Sequence, residues 1–173
     1  IMDNGADWDS TSQRNLATGT INLLIAQNHK VFQEFRPTLL KAYLDFLSAG
    51  WIYLEGRLEV RHFNNLITLL LQEGKTLKAA YIYKNWRNRL GSADPAKALL
   101  MNWSKIVIEA GKYDKAGKAL AQLYNTVQRA DDFLYAFNIR LLWMRIDFSK
   151  KDWDAFENRL QSFKRFVSNQ SEA

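Results

Sequence analysis

An all-α fold of antiparallel helix pairs is what this sequence predicts, on three observations. Apolar residues recur three and four apart along most of the chain. Only two prolines and eight glycines interrupt 173 residues. One turn pattern also returns at a near-constant interval. No alternating run has turn punctuation on both sides, so no strand is expected.

The pattern divides into eight helical segments, at 11–27, 30–49, 58–73, 75–90, 95–110, 112–128, 131–149 and 151–168. Residues 1–10, IMDNGADWDS, are polar and aperiodic and read as a loose leader; 169–173 read as a flexible tail. Pro37 falls inside the second segment, so a kink or break is expected near Gln33 to Arg36. The long connection Gly50 to Arg57 holds Trp51, Ile52, Tyr53 and Leu54, apolar enough to pack it down on the helices. In the third segment Phe63, Leu66, Ile67 and Leu70 share one face. Gly91 is placed to close the fourth helix in the left-handed conformation. Asp94 offers an N-cap oxygen and Pro95 a first helical position. Asp131 or Asp132 is expected to cap the seventh helix and Asp152 the eighth. The remaining connections are short, which makes neighbouring helices antiparallel.

Composition removes several function classes. There is no cysteine, hence no disulfide, thiol catalysis or cysteine-based zinc site. His29 has no carboxylate or second histidine one turn away, and His62 has only Glu59, so no metal site and no cofactor is expected. The carboxylate pairs Asp131–Asp132 and Asp152/Asp154 sit at helix starts, where capping explains them better than acid–base chemistry. The 50–56 stretch is glycine-bounded but lacks the GK[ST] ending of a phosphate loop. The expectation is a chain that is not an enzyme. No apolar run approaches the ~18 residues of a membrane helix, so no membrane partner and a cytoplasmic location are expected. Net charge is +6, concentrated at 61–130, where 12 basic side chains face 4 acidic ones. Within it, Tyr81 to Arg89 interleaves aromatic and basic residues, a pattern that serves nucleic acid. On a helix, however, Tyr83 and Trp86 fall on the core face, leaving Lys84, Arg87 and Arg89 as a solvated outer face.

Three turn segments align: 72–80 (QEGKTLKAA), 109–117 (EAGKYDKAG) and 148–156 (FSKKDWDAF). Gly74, Gly111 and Lys150 coincide, as do Ala79, Ala116 and Ala155. Before the first turn stand Phe63, Leu66 and Leu70, and after it Tyr83 and Trp86. Around the second stand Leu100, Trp103, Val107, Leu120 and Leu123. The third has Ile139, Leu142 and Ile146 before it, but Arg159 and Ser162 where apolar residues belong, with Leu160 and Phe163 one place later. This pattern resembles the tetratricopeptide repeat (TPR), and strings such as GWIYLEGRLEVRHFNNLITLLL are similar to the C-terminal part of bacterial TPR-like proteins. The resemblance implies one domain over 11–168, with its best repeats at 58–90, 95–128 and 131–168, stacked as a right-handed superhelix. It also implies a monomer or a piece of a longer array.

The implied function is a scaffold that holds a protein or extended peptide on the concave face, with a nucleic-acid-binding array as the runner-up. In TPR-like arrays that face is lined by the first helix of each pair. The stripes beside the assigned core faces then hold Arg61, Asn64 and Thr68; Ala98, Met101, Lys105 and Ile108; and Phe137, Arg140, Met144 and Asp147. They lack the lysine and asparagine pattern of the carboxylate-clamp TPRs. The expected ligand is a segment of acidic character, met by Arg61, Lys105 and Arg140 and anchored on Met101, Ile108, Phe137 and Met144. Trp103, placed on the core face, is expected to cost roughly 3–5 kcal/mol on truncation to alanine.

Overall fold

In the computed structural model, the described residues are 9–28, 35–92, 95–127 and 132–171, and helix accounts for 81% of them. The fold is all-α. Its helices are α1 (Ser10–Asn28), α2 (Arg36–Ala49), α3 (Val60–Gln72), α4 (Thr76–Trp86), α5 (Ala96–Glu109), α6 (Tyr113–Thr126), α7 (Phe133–Lys150) and α8 (Trp153–Ser171). The chain forms two compact units, Ile1–Pro95 and Ala96–Ala173.

In the first unit the leader ends earlier than expected. Asp9 caps α1, its Oδ1 accepting the backbone N–H of Thr11 and of Ser12 at 2.9 Å each, and these bonds hold its carboxyl below the usual range. The break expected near Gln33 to Arg36 falls where α2 starts, at Arg36, with Pro37 in its first turn, where a missing N–H costs nothing. Residues 30–34 of that expected segment lie outside the described residues. The core of this unit gathers Ile21, Leu39, Leu40, Tyr43, Ile52, Leu58, Phe63, Leu66, Ile67 and Leu70, all 2% exposed or less.

One expectation fails in the connection after α2. It contains a small antiparallel hairpin, β1 (Tyr53–Leu54) with β2 (Arg57–Leu58), paired Tyr53 to Leu58 and Leu54 to Arg57. Both turn residues, Glu55 and Gly56, have positive φ, the requirement of the tight two-residue hairpin turn. The strands are too short for periodicity to reveal them. The hairpin is also fastened to the chain after α4, Leu58 N–H donating to the Arg89 carbonyl at 2.8 Å and Gly91 N–H to the Leu58 carbonyl at 2.9 Å. Gly91 therefore serves as a pairing partner and is not among the left-handed residues. The packing expected of this loop holds for Ile52, which is buried, for Trp51, stacked on Phe46, and for Tyr53, against Trp86. Leu54 is exposed.

The second unit has a core of Met101, Val107, Ile108, Ala116, Leu120, Leu123, Ile139 and Ile146. α7 packs against α5, α6 and α8. Ion pairs fasten it along its length: Lys97 to Asp132 at 2.7 Å, Glu109 to Arg145 at 2.8 Å, Asp114 to Lys150 at 3.0 Å and Asp147 to Arg159 at 2.5 Å. Asp132 thus holds Lys97 and makes no capping bond to α7; Asp131 lies outside the described residues, as does Asp94. Asp152 caps α8 as expected, accepting the Ala155 N–H at 3.1 Å. α5 begins at Ala96, one residue after Pro95, and α8 runs into the stretch expected as a tail.

Three helix pairs turn in the same way. Gly74, Gly111 and Lys151 all have positive φ. At each, the residue's own N–H reaches the carbonyl three back and the next N–H the carbonyl five back: Lys75 to Leu70 at 2.8 Å, Lys112 to Val107 at 2.8 Å and Asp152 to Asp147 at 2.9 Å. The third turn is therefore centred on Lys151, one residue later than the alignment on Lys150. The shift replaces Ala155 by Phe156 as the counterpart of Ala79 and Ala116. It also brings Leu160 and Phe163 into line with Leu120 and Leu123, and leaves Arg159 as the polar residue in the row of Ile82 and Ala119. Counted from each turn residue, positions four, five and seven before it are buried in all three pairs: Leu70, Leu69 and Ile67; Val107, Ile106 and Ser104; Asp147, Ile146 and Met144.

α5 corrects the remaining register. Trp103 is 36% exposed, whereas Asn102 and Ser104 on either side are fully buried. Both polar side chains meet their own helix, Asn102 Nδ2 donating to the Ala98 carbonyl at 2.9 Å and Ser104 Oγ to the Leu100 carbonyl at 2.8 Å. Ser104 can thus face inward at little cost, Asn102 satisfies its amide N–H in the same way, and the tryptophan is turned out.

Two predictions follow from the corrected register. Leu120→Ala should cost roughly 2–5 kcal/mol and Trp103→Ala only about 1–2 kcal/mol, given the part of its ring already in water; urea unfolding of both variants would rank them. Gly111→Ala meets no atom within 4 Å, so its cost is backbone strain alone, about 1–2 kcal/mol. Lys151→Gly relieves the same strain and should raise the unfolding midpoint.

Candidate functional site

The residues marked out for a groove do not share one environment. Arg61, Asn64 and Thr68 belong to the first unit, the other eight to the second. Arg61 is exposed and 3.8 Å from Glu59; Asn64 and Thr68 are half-buried. Met101 and Ile108 are core residues, packed with Leu120, Leu123 and Ile139, and Met144 is buried as well. They are not surface anchors, because α5 and α7 are apolar on more than one face and the stripe beside the assigned core is core too. Ala98 is buried likewise. Lys105 is half-buried, and desolvation lowers its pKa. Phe137 sits between the rings of Phe133 and Phe163, at centroid distances of 6.0 and 5.1 Å.

Arg140 is different. It lies on α7 at a pocket of about 100 Å³ lined by Tyr124 of α6, Arg140 and Trp143 of α7, and Arg159 and Ser162 of α8. Its guanidinium rests 3.9 Å from the centroid of Phe166 and 5.8 Å from that of Tyr124, and its Nη1 donates to the Ala136 carbonyl at 3.0 Å. No carboxylate among the described residues pairs with it. The second guanidinium, Arg159, lies 4.9 Å from the centroid of Trp143 and donates through Nε to Asp147 Oδ2 at 2.5 Å. Asp147, only 7% exposed, fixes that arginine in place.

The pocket's walls are aromatic, and its polar atoms are donors: two guanidinium forks and the hydroxyls of Tyr124 and Ser162. Such a lining suits an oxyanion. Among the described residues no three histidine or carboxylate side chains converge as metal ligands, and no helix is long and apolar enough to cross a membrane. Searches of protein-family models, curated proteins and solved structures give no match to this chain.

Sequence reasoning found Arg140 and missed the rest of its pocket. Arg159 and Ser162 were visible as polar residues at positions that the one-residue register error marked as apolar. Asp147 was assigned to the groove, although it is buried. The aromatic and basic stretch at 81–89 keeps its expected arrangement: Tyr83 meets Phe63 and Trp86 meets Tyr53, while Lys84, Arg87 and Arg89 are exposed.

His62 is buried in the first unit, edge-on to Tyr43 at 5.9 Å. Its Nδ1 has no hydrogen-bond partner among the described residues. Burial pushes its pKa down, Glu59 opposes that, and Arg61 and Arg14 add to it. The unfolded chain therefore takes up a proton near pH 6.5 that the folded one resists, so stability present above that pH is lost as pH falls below it. Urea midpoints should drop between pH 7.5 and 5.5, and His62→Gln should flatten that drop.

Proposed function

We propose that this chain is a non-catalytic interaction scaffold of TPR-like type, holding a protein or an extended peptide segment of acidic character. The observation that carries the reading is the recurrence of one helix pair: the same turn bonds at Gly74, Gly111 and Lys151, with the same buried positions before each. Repeats of this kind spend their side chains on packing against neighbours and leave faces free for long, shallow contacts. The uncompensated Arg140 among aromatic rings supports the acidic character of the ligand. The basic 61–130 region motivates nucleic acid as the competing ligand; of the rings in its aromatic stretch, Tyr83 and Trp86 already pack against Phe63 and Tyr53, which leaves Tyr81 exposed for stacking.

A random peptide library panned on the immobilised chain tests the proposal. Enriched peptides should carry net negative charge, and the paired substitution Lys84→Ala with Arg89→Ala should change their Kd by less than about twofold, as expected of solvated charges. Tight, steeply salt-dependent binding of random DNA that those two substitutions abolish, with no peptide enriched, would overturn it.

A further inference from the structure

Besides Lys151 at its turn and Phe156 after it, the third helix pair departs from the other two at one pair of facing positions. Four residues before the turn the first two pairs have Leu70 and Val107, and eight residues after it they have Ile82 and Ala119; all four are buried. In the third pair those positions are Asp147 and Arg159, and they form an ion pair. An apolar pair there would pack without the cost of taking charge out of water. The substitution gives the fold no evident benefit, yet it sets a guanidinium of fixed orientation at the pocket that also holds Arg140.

We infer that this pocket is a binding subsite for a single carboxylate group. Arg140 supplies the charge that the ligand neutralises, and Arg159, positioned by Asp147, supplies a second donor fork. Two guanidinium groups and one carboxylate leave one positive charge uncompensated, which a monoanion cancels and a doubly charged phosphate overshoots. The planar forks match the two oxygens of a carboxylate, and Tyr124 and Ser162 add hydroxyl donors at the rim. A cavity of about 100 Å³ suits one acidic head group and is well below the ~300 Å³ at which pockets for larger ligands begin. As the anchor of an acidic segment the subsite rests on the scaffold reading; as a carboxylate site it stands on its own geometry.

The test is an NMR titration of the full chain, followed at the Trp143 indole N–H and the arginine Nε–H signals. The probes are propionate, propionamide, inorganic phosphate, acetyl-Ala-Glu-Ala-amide for a side-chain carboxylate and acetyl-Ala-Ala-Ala for a chain end. Propionate and one of the peptides should shift these signals saturably, and propionamide should not. Whichever peptide responds identifies the source of the carboxylate. Arg140→Gln should weaken propionate at least tenfold. Asp147→Val with Arg159→Ala installs the Val107 and Ala119 of the preceding pair; it should keep the circular dichroism and urea midpoint and still lose about threefold or more in affinity. If Arg140→Gln does not fold, Ser162→Phe blocks the mouth without touching either arginine and should have the same effect. Equal response to propionamide, affinity unchanged in Arg140→Gln or Ser162→Phe, or tighter binding of phosphate than of propionate overturns the subsite. Peptides enriched by panning that ignore Arg140→Gln, together with propionate that shifts none of these signals, overturn the subsite and leave the scaffold reading standing. Propionate bound at Arg140 with no peptide bound anywhere supports the subsite and removes the scaffold reading.

Discussion

Three of the helix pairs depend on one backbone constraint, the left-handed residue that ends the first helix. With Gly74, Gly111 or Lys151 in that conformation, two orphan carbonyls at the helix end are satisfied at once and the chain reverses within three residues. In these three pairs the second helix runs back along the first, and the residues four, five and seven before the turn are buried; the same bonds at Gly50 lead into the hairpin. Everything buried in α3, α5 and α7 is referred to that point. Where glycine holds the position the turn is free of strain. Lys151 accepts about 1–2 kcal/mol of it, and the pair it joins is also the one whose apolar contact has become an ion pair.

α7 shows how a helix can be central without being amphipathic. Ile139, Met144 and Ile146 are buried, while Phe133 and Phe137 meet rings of α8 and Trp143 meets Tyr124 of α6. With neighbours on several sides its apolar residues spread around the axis. Polar residues then enter where a partner waits: Asp147 for Arg159, Asp132 for Lys97. The pocket forms where the aromatic packing of α6, α7 and α8 meets this charged contact.

The all-α class, the helix positions to within a few residues and two of the three turns were legible in the sequence, because they are set by local periodicity and by glycine. What failed had physical causes that local signals do not carry. A two-residue strand has no period, so the hairpin at 53–58 was invisible except for its Glu55–Gly56 turn. Asn102 and Ser104 pay for burial by bonding to their own helix, so polarity misplaced the face of α5 and put Trp103 inside. The third turn lacks glycine, and aligning it on Lys150 instead of Lys151 moved each counterpart one residue. That slip gave Asp147 and Arg159 the wrong counterparts in the other pairs and hid their contact beside Arg140.

Charge totals point to a different third of the chain from the one that holds the pocket. Most of the described basic side chains of 61–130 are exposed, where a cation is hydrated and screened. Residues 131–173 balance seven basic against seven acidic side chains, and net charge alone marks them as inert. The balance conceals unequal burial: Asp147 is buried while its partner Arg159 keeps 41% of its side chain exposed, and Arg140 is held against Phe166 with no carboxylate beside it among the described residues. A cation fixed among rings and partly desolvated attracts an anion more strongly than several mobile ones in water. Specific recognition on such a helical surface therefore depends on which charge is held still and left uncompensated, and in the second unit that charge is Arg140.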